Sequence, residues 1–336
     1  MKKIYIFKDY RGFLYSSRKN WKVDIGIDID VLIKRLKTYG YECEERYFSD
    51  FRISDNWKDK IVIYQSSEDR GLFYKGYIED VLVSLEEAGA LLIPSFLAFK
   101  CHHNKALQEL IRLKYLPESN LYSRIYGSYE DLVRDNKDIE YPCVIKSASG
   151  AKGTYVELCR SQDELFRKAK KLSKTFNFFE WSKDYIKQFV RSYHTRVSQN
   201  KAKFIVQKFM PNLPGDYKLL VFGDKCVAQQ RDNRKNDFRA SGAGNFDAEA
   251  KIPMAVLELA YMVKDRFGVP FVSCDIGFSE GVAELIEFQF ITFGTGAVFR
   301  SERYFLKSGN NIQEHEGKLV LEELIADAIN SSIQSS

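Results

Sequence analysis

Apolar positions recur along the first hundred residues in two alternating rhythms. A short apolar run at residues 4–7 is followed by Ile29, Leu32, Ile33 and Leu36, spaced i, i+3, i+4, i+7. Asp28 stands before them and Gly40 after, so the pattern predicts a strand and then a capped helix. Residues 43–48 and 60–64 predict two more strands, Ile78, Val81, Leu82 and Leu85 a second amphipathic helix, and residues 90–93 a strand ahead of Pro94. Strands alternating with helices predict a small open α/β domain with mainly parallel strands. A helix then runs from Lys105 to about residue 113, and beyond Tyr141 strands come in hairpin pairs. Ser161 to Glu164 form a capping-box start for a lysine-rich helix. Residues 180–203 are polar, basic and aromatic, and read as an inserted lid or substrate segment; residues 204–210 predict a strand that stops at Pro211.

Two hairpins in the C-terminal half allow register to be worked out. Gly223-Asp224 is a two-residue turn signal, which sets Asp216 opposite Arg231 and, on the same face, Lys218 opposite Gln229. In the second hairpin, a turn over residues 279–283 centred on Gly281 sets Asp275 opposite Glu287, with Gln289 following on the face of Glu287. Two opposed carboxylates repel unless a cation lies between them, and oxygen ligands at that spacing suit Mg²⁺ shared with phosphates. The pair alone is equally compatible with two separate solvated acids, or with an acid and a nearby lysine.

Composition narrows the classes. The 336 residues are 45% apolar and 29% charged, ordinary for a globular chain of two or three units. The 51 basic against 46 acidic residues are not clustered as nucleic-acid binding requires, so no nucleic-acid partner is expected. The six cysteines include no C-x-x-C pair and sit mostly in apolar runs, as buried thiols of a reducing compartment do. The apolar run at residues 88–99 is broken by Pro94 and falls short of the roughly 20 residues of a membrane span; a cytoplasmic protein with no membrane partner is expected. His102 and His103 beside Cys101 lack further ligands at metal spacing and read as structural. The turn at residues 65–68 follows a strand of the first domain, a place where substrate contacts occur and also where plain turns occur. Arg191, Tyr193, His194 and Arg196 fit either an anionic acceptor or a solvated helix flank.

The stretch from Tyr141 to Val156 ends an apolar strand on Lys146 and passes into the small-residue loop Ser147 to Gly153. It is no Walker A loop, because Gly150 and Gly153 are too close and Thr154 follows Gly153 directly. Physically it is a fixed charge followed by a flexible flap whose N–H groups could cover phosphates; a solvated lysine at the end of an edge strand is the plainer alternative.

The order of Lys105, Lys146 with its loop, Val206 to Met210, Asp216, Lys218, Arg231, Arg239, Asp275, Glu287 and Gln289 resembles the ATP-grasp superfamily of carboxylate-amine ligases, in particular the glutathione-synthetase-like and amino-acid-adding types. The resemblance covers nearly the whole chain. It implies an α/β and α+β protein, with a pre-ATP-grasp α/β domain at residues 1–98 and a two-subdomain ATP-grasp domain at residues 99–330, whose lid subdomain spans about residues 141–208. It implies ATP and Mg²⁺ as cofactors, and small-molecule carboxylate and amine substrates joined through an acyl phosphate. A small-molecule kinase and a nucleotide-binding module without turnover are the rival readings. At the level of the family it implies a homodimer. Position by position, Lys105 and Lys146 match the lysines on the nucleotide α- and β-phosphates, and Ser149, Gly150 and Gly153 the flap. Gln207, Lys208 and Phe209 match the hinge that receives adenine, and Asp216 is placed with these nucleotide contacts. Asp275, Glu287 and Gln289 match the metal ligands, with Gln289 where asparagine is usual. Arg239 matches an arginine near the γ-phosphate, and Lys218 and Arg231 join it in the catalytic set, Lys218 standing where arginine is frequent.

Overall fold

The computed structural model describes residues 2–16, 26–67, 69, 71–148, 155–191, 193, 195–233 and 246–335. The chain forms two compact units, one of Met1–His102 with Leu213–Ser336 and the other of His103–Asn212.

In the first unit, β1 (Lys3–Lys8), β2 (Glu42–Tyr47), β3 (Ile61–Tyr64) and β4 (Leu91–Ile93) form a sheet in the order β2-β1-β3-β4. Every pairing is parallel, as expected. Both faces are buried, which is why β1 and β3 read as nearly unbroken apolar runs. Ile4, Ile6, Ile61 and Ile63 pack with Leu32 and Leu36 of α1 (Ile29–Thr38). Tyr5, Phe7, Val62 and Tyr64 pack with Ile78, Leu82 and Leu85 of α2 (Phe73–Glu87) on the other face. Asp28 caps α1 by accepting from the Val31 N–H, and Gly40 follows at φ 82°, a conformation that suits glycine. A short α3 (Phe96–Cys101) ends this segment.

In the second unit, α4 (Lys105–Tyr115), β5 (Ser123–Tyr126), α5 (Tyr129–Arg134), β6 (Cys143–Ser147), β7 (Val156–Cys159), α6 (Gln162–Leu172), α7 (Phe178–Val190) and β8 (Phe204–Lys208) follow in turn. The sheet has the order β5-β8-β6-β7 and is antiparallel throughout. Ser161 accepts from the Glu164 N–H as a cap should, but the Glu164 carboxylate reaches the Arg160 N–H, one residue before the position a capping box uses. α7, capped by Asn177, starts two residues before the segment expected as a polar insertion at residues 180–203 and runs into it, and its Phe178, Phe179, Ile186, Phe189 and Val190 are exposed.

The chain returns to the first unit with β9 (Gly215–Phe222), β10 (Lys225–Asp232), β11 (Phe246–Asp247), α8 (Met254–Phe267), β12 (Phe271–Ser279), β13 (Val282–Gln289), α9 (Gly296–Arg300), β14 (Arg303–Ser308), β15 (Asn311–Glu316) and α10 (Leu321–Ser335). The strands form one sheet in the order β13-β12-β9-β10-β14-β15, with β11 on β10. Leu324, Ile325 and Ile329 of α10 join Leu220, Phe222, Ile4 and Leu32 in one core, which ties this sheet to the N-terminal one. Polar contacts reinforce it: Glu322 accepts from the Asp28 N–H at 2.9 Å, and Asp327 pairs with Arg35 at 2.7 Å and Lys225 at 3.2 Å. All six cysteines are free thiols, five of them buried. No helix among the described residues is long and apolar enough to cross a membrane.

Candidate active site

The β9–β10 hairpin folds in the expected register, with Asp216 opposite Arg231 and Lys218 opposite Gln229. The second hairpin reaches its expected pairing by a different route. Its turn is the two residues Glu280-Gly281, with Ser279 opposite Val282; an unbroken ladder from there would set Asp275 against Ile286. A bulge between Asp275 and Ile276 absorbs one residue of β13 and brings Glu287 opposite Asp275.

Pairing of β12 with β9, which joins strands fifty residues apart, then sets Asp275 opposite Lys218. Gln229, Lys218, Asp275 and Glu287 therefore form one row across β10, β9, β12 and β13, all on one face. Along that face apolar residues give way to charges. Phe222 and Phe271 lie opposite each other in the core, the Leu220–Ser273–Gln289 row comes next, and the acids follow.

The acids are not bare. Arg231 donates to both Asp216 oxygens at 2.6 and 2.7 Å, a bidentate contact, and also lies 2.7 Å from Asp275 Oδ2. Lys218 Nζ lies 2.8 Å from Ser273 Oγ and 3.3 Å from Asp275 Oδ1. One guanidinium is thus shared by the buried Asp216 carboxylate and the partly buried Asp275 carboxylate. Burial, and then the charge of Asp275, push Asp216 up; burial acts the same way on Asp275, but Arg231 and Lys218 outweigh it and hold that carboxyl down. Oxygen donors at Asp275, Glu287 and Gln289 fit a hard cation such as Mg²⁺, which takes one or two carboxylates and completes its shell with water and phosphate. Among the described residues no group of three or more His, Cys, Asp or Glu is placed to hold a metal.

Gly215 permits the Asp216–Arg231 contact. A Cβ at this position would meet the Arg231 carbonyl oxygen at 2.0 Å and its carbon at 3.0 Å, both main-chain atoms. Gly215→Ala must part the two strands, and it is expected to lower stability by about 1–3 kcal/mol. Equilibrium urea unfolding checks this, and unchanged stability would refute the close-approach argument.

In the second unit, Lys105 opens α4 behind the Asn104 cap, and its N–H donates to the Ala148 carbonyl at 2.9 Å. Lys203 Nζ donates to Asn104 Oδ1 at 2.9 Å. Lys146 is no solvated edge-strand lysine. β6 lies between β8 and β7, and Lys146 is only 8% exposed. On β8, Gln207 is buried and donates to Glu109 Oε1 at 3.2 Å, and the other oxygen of Glu109 accepts from Arg112 at 2.8 and 2.9 Å and from Ser123 at 2.8 Å. Lys208 pairs with Glu140 at 3.4 Å. A shallow cavity beside this strand end is lined by Tyr122, Arg124, Ile139, Cys143, Gln207 and Lys208.

The structure thus brings Asp216, Lys218, Arg231, Asp275, Glu287 and Gln289 onto one sheet face of the first unit. Lys105, Lys146, Gln207 and Lys208 lie in the second unit, as does Phe209, which follows β8. Ser149, Gly150, Gly153, Arg239 and His194 lie outside the described residues. Sequence reasoning did not find the Arg231–Asp275 pair, because it depends on β12 adding beside β9. It also passed over the buried Glu109–Arg112 pair, although its i, i+3 spacing on a predicted helix was visible.

Solved structures provide the comparison. The chain is similar to a RimK-domain ATP-grasp protein from Sphaerobacter thermophilus DSM 20745, at 13% identity over 97% of this chain and 98% of the other, with a TM-score of 0.53. It is similar to the D-cycloserine synthetase DcsG, at 11% identity over 98% and 99%, with a TM-score of 0.55. It is also similar to the ATP-grasp ligase PsnB, solved with the precursor peptide PsnA2 and AMPPNP, at 14% identity over 98% and 97%, with a TM-score of 0.53. The chain therefore has the ATP-grasp fold, built from a parallel α/β sheet and two antiparallel sheets. No protein-family model matches it, and no curated protein matches it in sequence.

Proposed function

We propose that this chain is an ATP-dependent ligase that joins a carboxylate to an amine through an acyl phosphate and releases ADP. The observation that carries this reading is the Lys218–Asp275–Glu287 row, set by register on one sheet face of an ATP-grasp fold. Transfer of a phosphoryl group needs charge neutralisation and alignment rather than a protein nucleophile. Asp275, Glu287 and the Gln289 carbonyl would hold Mg²⁺, which supplies that neutralisation when bound. Lys105 and Lys146 contact the nucleotide phosphates under the loop at residues 149–153, and the main chain of residues 207–209 takes adenine. Lys218, Arg231 and Arg239 act on the transferred group and the acyl phosphate, and Asp216 holds Arg231 in place. ATP and the free thiols fit a reducing, cytoplasmic setting.

A nucleotide-binding module without turnover is favoured by one observation, the neutralisation of Asp275 by Arg231 and Lys218. Incubation with ATP, Mg²⁺, pooled carboxylates and amines, and hydroxylamine separates the readings. A hydroxamate is expected; a stable phosphorylated product marks a kinase, and bound ATP without ADP marks the module. Lys146→Ala is expected to weaken ATP binding about tenfold by removing a charge-assisted contact. Unchanged affinity removes Lys146 from the nucleotide site.

A further inference from the structure

Arg300, the last residue of α9, is exposed, and it has no carboxylate partner among the described residues. Its Nη2 donates to Gln229 Oε1 at 3.0 Å, and its guanidinium lies 4.6 Å from the centroid of the Phe246 ring. In the same unit Arg11, Arg35, Arg46, Arg231 and Arg303 each have a carboxylate within 2.7 Å. Arg300 differs from them, since it is held by a neutral amide and a ring face. Partial burial of its guanidinium lowers its pKa, and no acid among the described residues offsets the effect.

The chain makes room for this placement. A Cβ on Gly296 would meet Arg300 Nη1 at 2.8 Å and Cζ at 3.5 Å, so the guanidinium occupies space that only glycine leaves there without a shift. Gln229, which anchors it, is 2% exposed and belongs to the row that continues through Lys218 to Asp275 and Glu287. At a strand spacing of about 4.8 Å, Gln229 lies roughly 10 Å from Asp275 across two strands. One corner of the fork is used by Gln229, which leaves further N–H groups to grip a planar or tetrahedral anion.

We propose that Arg300 binds an anionic group, a carboxylate or a phosphate, on the substrate that is not ATP. The substrate class is then a molecule with a second negative group besides its reacting end, such as a dicarboxylate, a phosphorylated acid or an amino acid with a free carboxyl group. This assignment of substrate class rests on the ligase reading; anion binding at Arg300 does not.

Protein labelled with ¹⁵N-arginine provides the test, with the Arg300 Nε–H signal assigned by its loss in Arg300→Gln and Arg300→Lys. Titration with succinate and with inorganic phosphate, each in the absence and presence of saturating MgADP, is expected to move this signal saturably. A response to succinate alone marks a carboxylate subsite, and a response to phosphate alone a phosphate subsite. Gly296→Ala, which displaces Nη1, is expected to weaken the responding anion about tenfold, the loss of one charge-assisted contact. If the signal stays still with both anions, or Gly296→Ala binds as well as the parent, the proposal is overturned. MgADP affinity on the same samples keeps the two claims apart: failure to bind nucleotide sinks the ligase reading and leaves the response of Arg300 to anions standing.

Discussion

Arg231→Met is expected to destabilise the protein by about 3–5 kcal/mol, because it strands buried charge rather than removing an isolated pair. Arg231 is the bidentate partner of Asp216 and lies 2.7 Å from Asp275, and all three side chains are largely buried. Without it, burial and mutual repulsion push the two carboxyl groups up together, with Lys218 the cation left beside Asp275 among the described residues. The pH dependence follows from linkage. Groups whose folded pKa lies above the unfolded value of about 3.9 bind more protons in the native state, so stability is kept at low pH and lost as pH rises through the folded pKa. In the parent protein the depressed Asp275 acts in the opposite sense, contributing stability above its unfolded pKa that is lost as pH falls through its folded pKa. The gap between parent and variant, read from urea midpoints, should therefore be smaller at pH 5 than at pH 8. A gap of equal size at both pH values would show that the two carboxylates are not coupled through Arg231.

Asp275→Asn is expected to reduce Mg²⁺-dependent ADP formation by about a thousandfold, equivalent to roughly 4 kcal/mol of transition-state stabilisation. The amide keeps the shape of the side chain but removes the formal charge that a divalent cation needs. Nucleotide affinity without metal should stay near that of the parent, since the lysines assigned to the phosphates lie in the other unit. The variant also relieves Asp216 of the neighbouring charge that pushes it up, so the cost in stability should be well below that of Arg231→Met. Turnover as a function of Mg²⁺, measured beside equilibrium nucleotide binding, decides the matter. Parent-like turnover would remove Asp275 from the metal site.

Much of the fold was legible because it is local. Ile29, Leu32, Ile33 and Leu36 mark α1 without any knowledge of what covers it, and Asp28 and Gly40 mark its ends. The register of β9–β10 follows from a turn signal a few residues away, whereas in β12–β13 the expected turn over residues 279–283 gave the Asp275–Glu287 pairing but not the turn that forms. The bulge that sets this pairing could not be read. No residue type marks the point where β13 takes up an extra residue, and a centred wider turn predicts the same pairing. Lys146 shows the opposite failure. As the last charge before a glycine loop it had a plausible life in solvent, and its burial depends on β8 pairing on its far side.

What the sequence determined by itself is the list of parts: a parallel α/β opening, two hairpins, and charges in an order that resembles that of the ATP-grasp superfamily. These depend on periods of 2 and 3.6 residues and on turn chemistry, all of which act within a few residues. The tertiary structure decided which parts meet. Placing β12 beside β9 turns two separate hairpins into one charged face, gives Arg231 a second carboxylate and sets Lys218 against Asp275. It also returns α9 to β10, where Arg300 finds Gln229. Those contacts join residues more than forty positions apart, and their energy comes from burial and charge pairing that exist only once the strands are assembled.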